Sequence, residues 1–373
     1  MVDESCTARL DSPALLVYPQ RVQLNLDLLK AGIDTMNRLR PHVKTHKCRE
    51  ATLISIGASI TKFKCATISE AQMLGSCGAS DVLLAYQPVG PKALRFIDVI
   101  EQYPESTFSC LVDNLQSANA LSGAAIAAGI RISVFVDINV GMNRTGIKPG
   151  QPAIDLYSHC LLNPGLKPLG LHVYDGHIHD HDMDVRETRC KAYVAHVESL
   201  ANRLMELGFE QPVIVAGGSA SFPVLSKFTD FECSPGTFIY WDWGYRSSFP
   251  EQDFLFAALV MTRVVSLPDR TKLCLDAGHK AIAAENVLNK RIHFLNAPQL
   301  VVISQSEEHM VVEAGVDHTY KVGDILYGVP YHICPTVALY ERAYAIEDQQ
   351  VISEWMTIAR DRTLDNAVDN FTC

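Results

Sequence analysis

The chain has no Cys-x-x-Cys pair, no apolar run near the length of a membrane span and no excess of basic charge. Each absence excludes something. Its 11 cysteines are odd in number and scattered, which suits reduced, mostly buried thiols rather than a disulfide framework. A spanning helix needs about 20 consecutive apolar residues, and none is present. Met1-Val2-Asp3-Glu4-Ser5-Cys6 also lacks the basic-then-apolar order of a secretory signal, so a soluble, cytoplasmic protein is expected. The formal net charge of −10 argues against nucleic acid or an anionic membrane as the main partner. Short-period repeats, low-complexity tracts and Pro/Gly/Ser-rich linkers are missing too.

What is there is an ordinary globular composition, 48% hydrophobic and 20% charged, over 373 residues. That length accommodates two domains, or one large barrel with an appendage. Short apolar runs alternate with helical patterns through the first two-thirds. Residues 40–45, 62–67, 82–86, 108–113, 132–138, 170–175, 213–217 and 231–234 read as strands. Residues 69–77, 114–128 and 186–207 read as helices. In the last of these, Tyr193, Val197, Leu200 and Leu204 fall on one face. Eight strands alternating with helices predict an α/β fold, a parallel (β/α)8 TIM barrel, over 13–245. After about Tyr245 the rhythm changes to strands joined by short turns, at 255–267, 271–276, 300–304, 310–316, 325–329 and 337–346. An all-β second domain over 246–373 follows. Ala14–Tyr18 suits either domain.

Arg40-Pro41-His42-Val43-Lys44-Thr45-His46-Lys47 packs five basic or imidazole side chains into eight residues of an acidic chain. Such a cluster suggests a small anionic ligand such as a phosphate ester, or a solvated basic turn. Were the segment a strand, His42, Lys44 and His46 would point to one side, and a desolvated lysine there can form a Schiff base with a carbonyl cofactor.

Barrel enzymes carry their sites at the C-terminal ends of the strands. Here those ends collect polar and glycine residues. Gly217-Gly218-Ser219 has the composition of a phosphate cradle, and Pro235-Gly236-Thr237 stands at the next strand end, the usual phosphate position of such barrels. Tyr240 offers a further hydroxyl. Arg144 follows the strand at 132–138, as a loop arginine or a ligand contact, and Tyr174 ends the strand at 170–175, as a core or a ring contact. The segment with His172, His177, His179 and His181 among aspartates reads as a metal site or, more simply, a solvated loop. Far along the chain, Tyr331-His332-Ile333-Cys334-Pro335-Thr336 would turn His332 and Cys334 to one face of an extended strand, an imidazole–thiolate pair suited to zinc.

Pro41-His42-Val43-Lys44-Thr45-His46-Lys47 resembles the cofactor-lysine segment of the D-threonine aldolase and D-serine dehydratase family, pyridoxal-phosphate enzymes built on the alanine-racemase type of barrel. The resemblance runs from about Arg40 to Arg362 with its motifs in order. It implies that Lys44, with Lys47 its nearest rival, bonds the cofactor. It implies that Gly217, Gly218, Ser219, Gly236 and Thr237 hold the phosphate, that Arg144 sits near the ring hydroxyl and that Tyr174 contacts the ring. His332 and Cys334 would hold a divalent metal, zinc in the first place and manganese or magnesium otherwise, against the substrate's β-hydroxyl. Residues 1–12 are expected to pack on the β domain, and a homodimer is expected. The activity implied is a lyase of D-3-hydroxy amino acids, acting by dehydration or by aldol cleavage. Alternatives are an amino acid racemase and a non-catalytic pyridoxal-phosphate carrier. In one respect the chain departs: alanine racemases place an arginine where Ser234 stands, two residues before Gly236, which weakens the racemase reading.

Overall fold

The computed structural model describes residues 2–363. Its strands, in chain order, are β1 Ala14–Val17, β2 Lys62–Cys65, β3 Asp81–Leu84, β4 Thr107–Val112, β5 Ile132–Ile138, β6 Leu166–Val173, β7 Val213–Ala216 and β8 Glu232–Cys233. They continue as β9 Ala258–Ser266, β10 Lys272–Leu275, β11 Ile292–Phe294, β12 Val301–Gln305, β13 Met310–Glu313, β14 Ile325–Pro330, β15 Arg342–Glu347 and β16 Gln350–Met356.

Strands β2 to β8 form one parallel sheet in which every strand pairs with its neighbours in sequence. Leu39 bridges Cys233 and His42 bridges Lys64, so residues 39–42 fill the eighth position and close the sheet on itself. The backbone bonds agree: Arg40 N–H donates to Cys233 O (2.9 Å) and Lys64 N–H to Pro41 O (2.8 Å). The expected strand at 40–45 is therefore corrected at its second half, because Val43–Thr45 winds into a single 3-10 turn. Strands covered on both faces read as continuous apolar runs, and β5, Ile-Ser-Val-Phe-Val-Asp-Ile, is buried at six of its seven positions. Leu83, Leu111, Phe135 and Val215 meet inside the barrel.

Helices cover the outside, and their starts are set by caps. Thr67 accepts from the Glu70 N–H, Asn114 from that of Ser117, and Asp182 from those of Asp184 and Val185. The Asp182 cap explains why the long helix, Met183–Glu206, begins three residues before the periodic pattern does. Its buried face carries Tyr193, Val197, Leu200 and Leu204 as predicted.

At the N-terminal end of the barrel Arg40, 2% exposed, holds both Asp81 oxygens (2.6 and 2.7 Å) and Glu232 (2.6 Å). Lys62 pairs with the other Glu232 oxygen.

The second sheet runs β12-β13-β10-β9-β1-β15-β16, with β14 pairing β9 and β11. All its pairs are antiparallel except β1 with β15. Its core joins Val2, Leu10, Leu16, Met261, Val329 and Ile346. Contacts group residues 2–29, 45–54 and 237–360 in this β unit and 30–44, 55–236 and 361–363 in the barrel unit. The boundaries differ from 13–245 and 246–373. Ala14–Val17 is a strand of the β sheet because it hydrogen-bonds β9 and β15, and the helix Pro19–Ala31 follows it there through Leu29. Two strands went unread, β11 and β16, and residues 333–337, expected in a strand, form a short helix. Among the described residues no helix is long and apolar enough to cross a membrane.

Candidate functional site

In the barrel unit one aromatic ring gathers the candidate residues. Tyr174 follows β6, and the Lys44 Nζ stands 5.8 Å from its centroid and the Arg144 Cζ 4.9 Å. Lys44 is presented by the Val43–Thr45 turn, its N–H donating to His42 Nδ1 (3.2 Å), rather than by strand alternation. Arg144 is fixed by a tight loop after β5. Asn139 Oδ1 accepts from the N–H groups of Gly141 (3.0 Å) and Asn143 (3.1 Å). Gly146 adopts φ +94°, where a Cβ would meet Asn139 N at 2.8 Å. A small pocket lies among Asp137, Met142, Arg144, Thr145 and Tyr174.

The glycine turn after β7 belongs to the same place. Gly217 has φ +73° and a Cβ there would strike Leu225 at 2.4 Å, whereas in front of Gly218 only Tyr174 Cε2 lies near, at 3.6 Å. Ser219 Oγ accepts from Gly236 N–H (3.1 Å), tying the turns after β7 and β8 together. The backbone can thus approach an anion closely, as a phosphate cradle requires. Two buried polar atoms of this unit, Ser234 Oγ and His172 Nε2, have no hydrogen-bond partner among the described residues. A glycine cradle, an amine, a guanidinium and two orphaned polar atoms fit a polar, phosphate-bearing ring.

Thr237 follows Gly236 directly. It groups with the β unit, where its Oγ1 lies 3.9 Å from the Cys334 sulfur. Tyr240 is also buried there, with its hydroxyl 3.6 Å from the Cys48 thiol.

The charges inside the barrel are tightly managed. His172 Nδ1 bonds Asp137 Oδ1 (2.8 Å), and burial keeps the imidazole neutral. Burial works to raise the Asp137 carboxyl, but bonds from His172, Thr145 and Gln87 hold it below the usual range. Asp175, buried, is pushed up by desolvation although Ser221 and Tyr193 donate to it. Lys64, which the sequence reading missed, is 2% exposed on β2, and burial together with the Lys44 charge pushes its amine down to about 7. The signal was a lysine between Phe63 and Cys65 in a buried strand.

In the β unit His332 and Cys334 do come together, but on a helix start rather than a pleat. His332 immediately precedes the helix Ile333–Val337, at its N-cap position and without a side-chain cap bond. Its Nδ1 bonds Glu285 (2.9 Å), and the ring also donates a hydrogen bond to the Cys334 sulfur. Partial desolvation opposes protonation, yet Cys334, Asp242 and Glu285 outweigh it and raise the imidazole to about 9. Thr45 Oγ1 stands 3.1 Å from the same sulfur. Fully buried Asp242 accepts from the N–H groups of Tyr245 (2.8 Å) and Ile333 (3.1 Å), which anchors the turn bearing both residues. A carboxylate on the far nitrogen of a histidine is how metal ligands are oriented, so Glu285 makes the pair fit a metal. Neither Glu285 nor Asp242 was singled out in the sequence, being 47 and 91 positions from His332 and Ile333, the residues they hold. Among the described residues no group of three or more His, Cys, Asp or Glu is arranged around one point. Two protein ligands with open positions is the arrangement on offer. The histidine-rich segment supplies none: His172 is bonded to Asp137, His179 and His181 are exposed, and Asp182 is a helix cap.

The family model of the alanine racemase N-terminal domain matches residues 17–242, and that of a putative serine dehydratase domain matches 257–346. A D-threonine aldolase from Arthrobacter sp. is 29% identical over 360 residues, spanning 95% of this chain and 93% of its own. The crystal structure of D-threonine aldolase from Filomicrobium marinum superposes with a TM-score of 0.87 at 27% identity, covering 95% of this chain and 96% of the other. D-threo-3-hydroxyaspartate dehydratase from Delftia sp. HT23 has the same fold, with a TM-score of 0.81 at 20% identity over 94% of this chain and 98% of that one.

Proposed function

The chain belongs to the family of the alanine racemase N-terminal domain, and on that premise we propose that it is a pyridoxal-phosphate- and metal-dependent lyase of D-3-hydroxy amino acids. The observation that carries the reading is the convergence on Tyr174 of the Lys44 amine, the Arg144 guanidinium and the open face of Gly218. Pyridoxal phosphate, when bound, supplies an electron sink for breaking a bond at the α-carbon. Lys44 is the amine that secures its carbonyl carbon and, once released, the base that takes or returns the α proton. The turns of Gly217, Gly218 and Gly236 would let the phosphate approach the backbone closely, with Ser219 as the polar contact at its edge. Tyr174 would contact the ring and Arg144 its oxygen.

His332 and Cys334 hold the metal, with Glu285 fixing the imidazole and Asp242 fixing the turn. Zinc suits imidazole plus thiolate and supplies a Lewis acid for a hydroxyl oxygen. On that ground we favour dehydration, giving a 2-oxo acid and ammonia, over cleavage to glycine and an aldehyde. The relatives support a lyase by their names, aldolase and dehydratase alike. The reading further places the protein as a cytoplasmic homodimer acting on small molecules.

The test is to incubate the protein, loaded with pyridoxal phosphate and zinc, with D-serine and with D-threonine, and to separate the products. Oxo acid without glycine supports dehydration; glycine with aldehyde supports aldol cleavage. Loss of optical activity alone would sink the lyase reading in favour of a racemase.

A further inference from the structure

Lys64 is a buried basic residue of the barrel interior to which the proposed chemistry gives no task. It projects from β2, whose backbone bridges the segment that leads to Lys44 through His42. Its Nζ lies 5.9 Å from the centroid of the Tyr174 ring, so three basic groups, with Lys44 at 5.8 Å and Arg144 at 4.9 Å, gather around one aromatic ring. Arg40, held by Asp81 and Glu232, adds a fourth positive charge to the field at Lys64.

A buried ammonium needs a partner or must give up its proton. Two carboxylates are near enough to act on Lys64, Asp137 and Asp175. Both are committed elsewhere, Asp137 to His172 and Gln87, Asp175 to Tyr193. Among the described residues neither forms an ion pair with Lys64. Tyr174 and His172 complete the titratable surroundings, and His172 is kept neutral by burial. Lys64 is therefore a buried amine with no ion-pair partner among the described residues, beside the same ring as Lys44.

On the cofactor reading above, we infer that Lys64 is a third cofactor-binding cation, which shares the anionic ring oxygen of pyridoxal phosphate with Arg144. The ligand's own chemistry narrows the choice. Its phosphate is matched by the glycine turns, and its ring oxygen is ortho to the carbonyl carbon, so that oxygen must lie beside Lys44. A substrate carboxylate arrives from solvent and would select an accessible cation, whereas Lys64 is 2% exposed. A resident ligand is the occupant that suits such burial.

The experiment uses 4-deoxypyridoxine 5′-phosphate, which keeps the ring oxygen and phosphate but has no carbonyl to react with Lys44. Its ring-oxygen ionisation is followed by ultraviolet absorbance against pH when bound to the wild type, Lys64→Met and Lys64→Arg, with Lys64→Gln in reserve should the Met variant fail to fold. A nearby cation favours the ionised oxygen. The expected result is an ionisation midpoint raised by about one pH unit or more in Lys64→Met, a tenfold change in proton affinity, with the Arg variant near the wild type. An unchanged midpoint in a Met variant that binds the analogue as tightly as the wild type overturns the inference and leaves the cofactor reading standing. Failure of the wild type to bind the analogue at all would overturn both.

Discussion

Arg40 opens the most distinctive sequence motif of the chain, yet its own task is structural, and replacing it measures what closes the barrel. In Arg40→Met a buried guanidinium making three charge-assisted hydrogen bonds, at 2.6, 2.7 and 2.6 Å, is exchanged for an apolar side chain of similar length. Removing one partner of a buried ion pair costs about 3–5 kcal/mol, chiefly because the other charge is left without compensation. Two features put this site at the low end. Asp81 is 32% exposed and regains water, and Glu232 keeps Lys62. About 3 kcal/mol is therefore expected. With an unfolding entropy near 2.1 cal/mol/K per residue and 373 residues unfolding together, the melting temperature should fall by roughly 4 °C in calorimetry at neutral pH. Adding Asp81→Asn to the Met variant removes the stranded charge and should recover part of the loss. A melting temperature within 1 °C of the wild type would show that the network does not hold residues 39–42 in the sheet.

Other expectations follow from single contacts. His46 is buried with its Nδ1 accepting the Cys48 N–H (3.3 Å), and desolvation pushes the imidazole down to about 3. The folded value lies below the unfolded one, so this stability is present above about pH 6.5 and is lost as pH falls toward 3. Between pH 7 and 5 the loss is about 2 kcal/mol, and His46→Asn should flatten that slope in urea titrations at the two pH values; parallel slopes would rule out the assignment. Glu285→Gln should weaken zinc binding about 10- to 100-fold, read by competition with a chelator, and an unchanged affinity would remove Glu285 from the metal site. Gly170→Ala would put a methyl 1.8 Å from Val213 O, forcing β6 from β7 at a cost of about 3 kcal/mol, visible as a lower melting temperature. Gly123→Ala, with open space around it in a helix, should stabilise by about 0.5–1 kcal/mol; if both variants melt alike, the packing at Gly170 is looser than described.

What could be read in advance depended on how local the cause was. β5 was delimited correctly because a strand buried on both faces writes itself as a run dominated by β-branched and aromatic residues, here Ile132, Val134, Phe135, Val136 and Ile138. The helix at 183–206 was found from four residues on one face, and its start was missed because Asp182 acts through a cap, not through hydrophobic period. β11 is three residues long and β16 is largely exposed, with Gln350, Ile352, Ser353 and Glu354 open to solvent, so neither leaves an apolar signature. Lys44, Arg144, Tyr174 and Gly218 converge as their positions at strand ends suggested. The means differed, since a 3-10 turn and not a pleat presents Lys44. His332 and Cys334 were paired for the wrong reason in the same way. Thr237, next to Gly236 in sequence, groups with the other unit, and Lys64, Asp242 and Glu285 became visible only through partners distant along the chain.

The first strand of the chain is also the last to be useful. Every barrel strand from β2 to β8 pairs with the next one to be synthesised, so that sheet can grow as the polypeptide emerges. β1 cannot take part in this. Leu16 sits opposite Leu259 on one side and Tyr344 on the other, and ribosomes add about 5–20 residues per second. Roughly 15 seconds to a minute then separate its synthesis from that of its second partner. All four residues of β1 are buried in the finished protein, so during that interval an apolar segment waits at the head of the nascent chain. A chain stopped between β9 and β15 would leave β1 paired along one edge only, so the β sheet is completed around its first strand only after translation has passed residue 344.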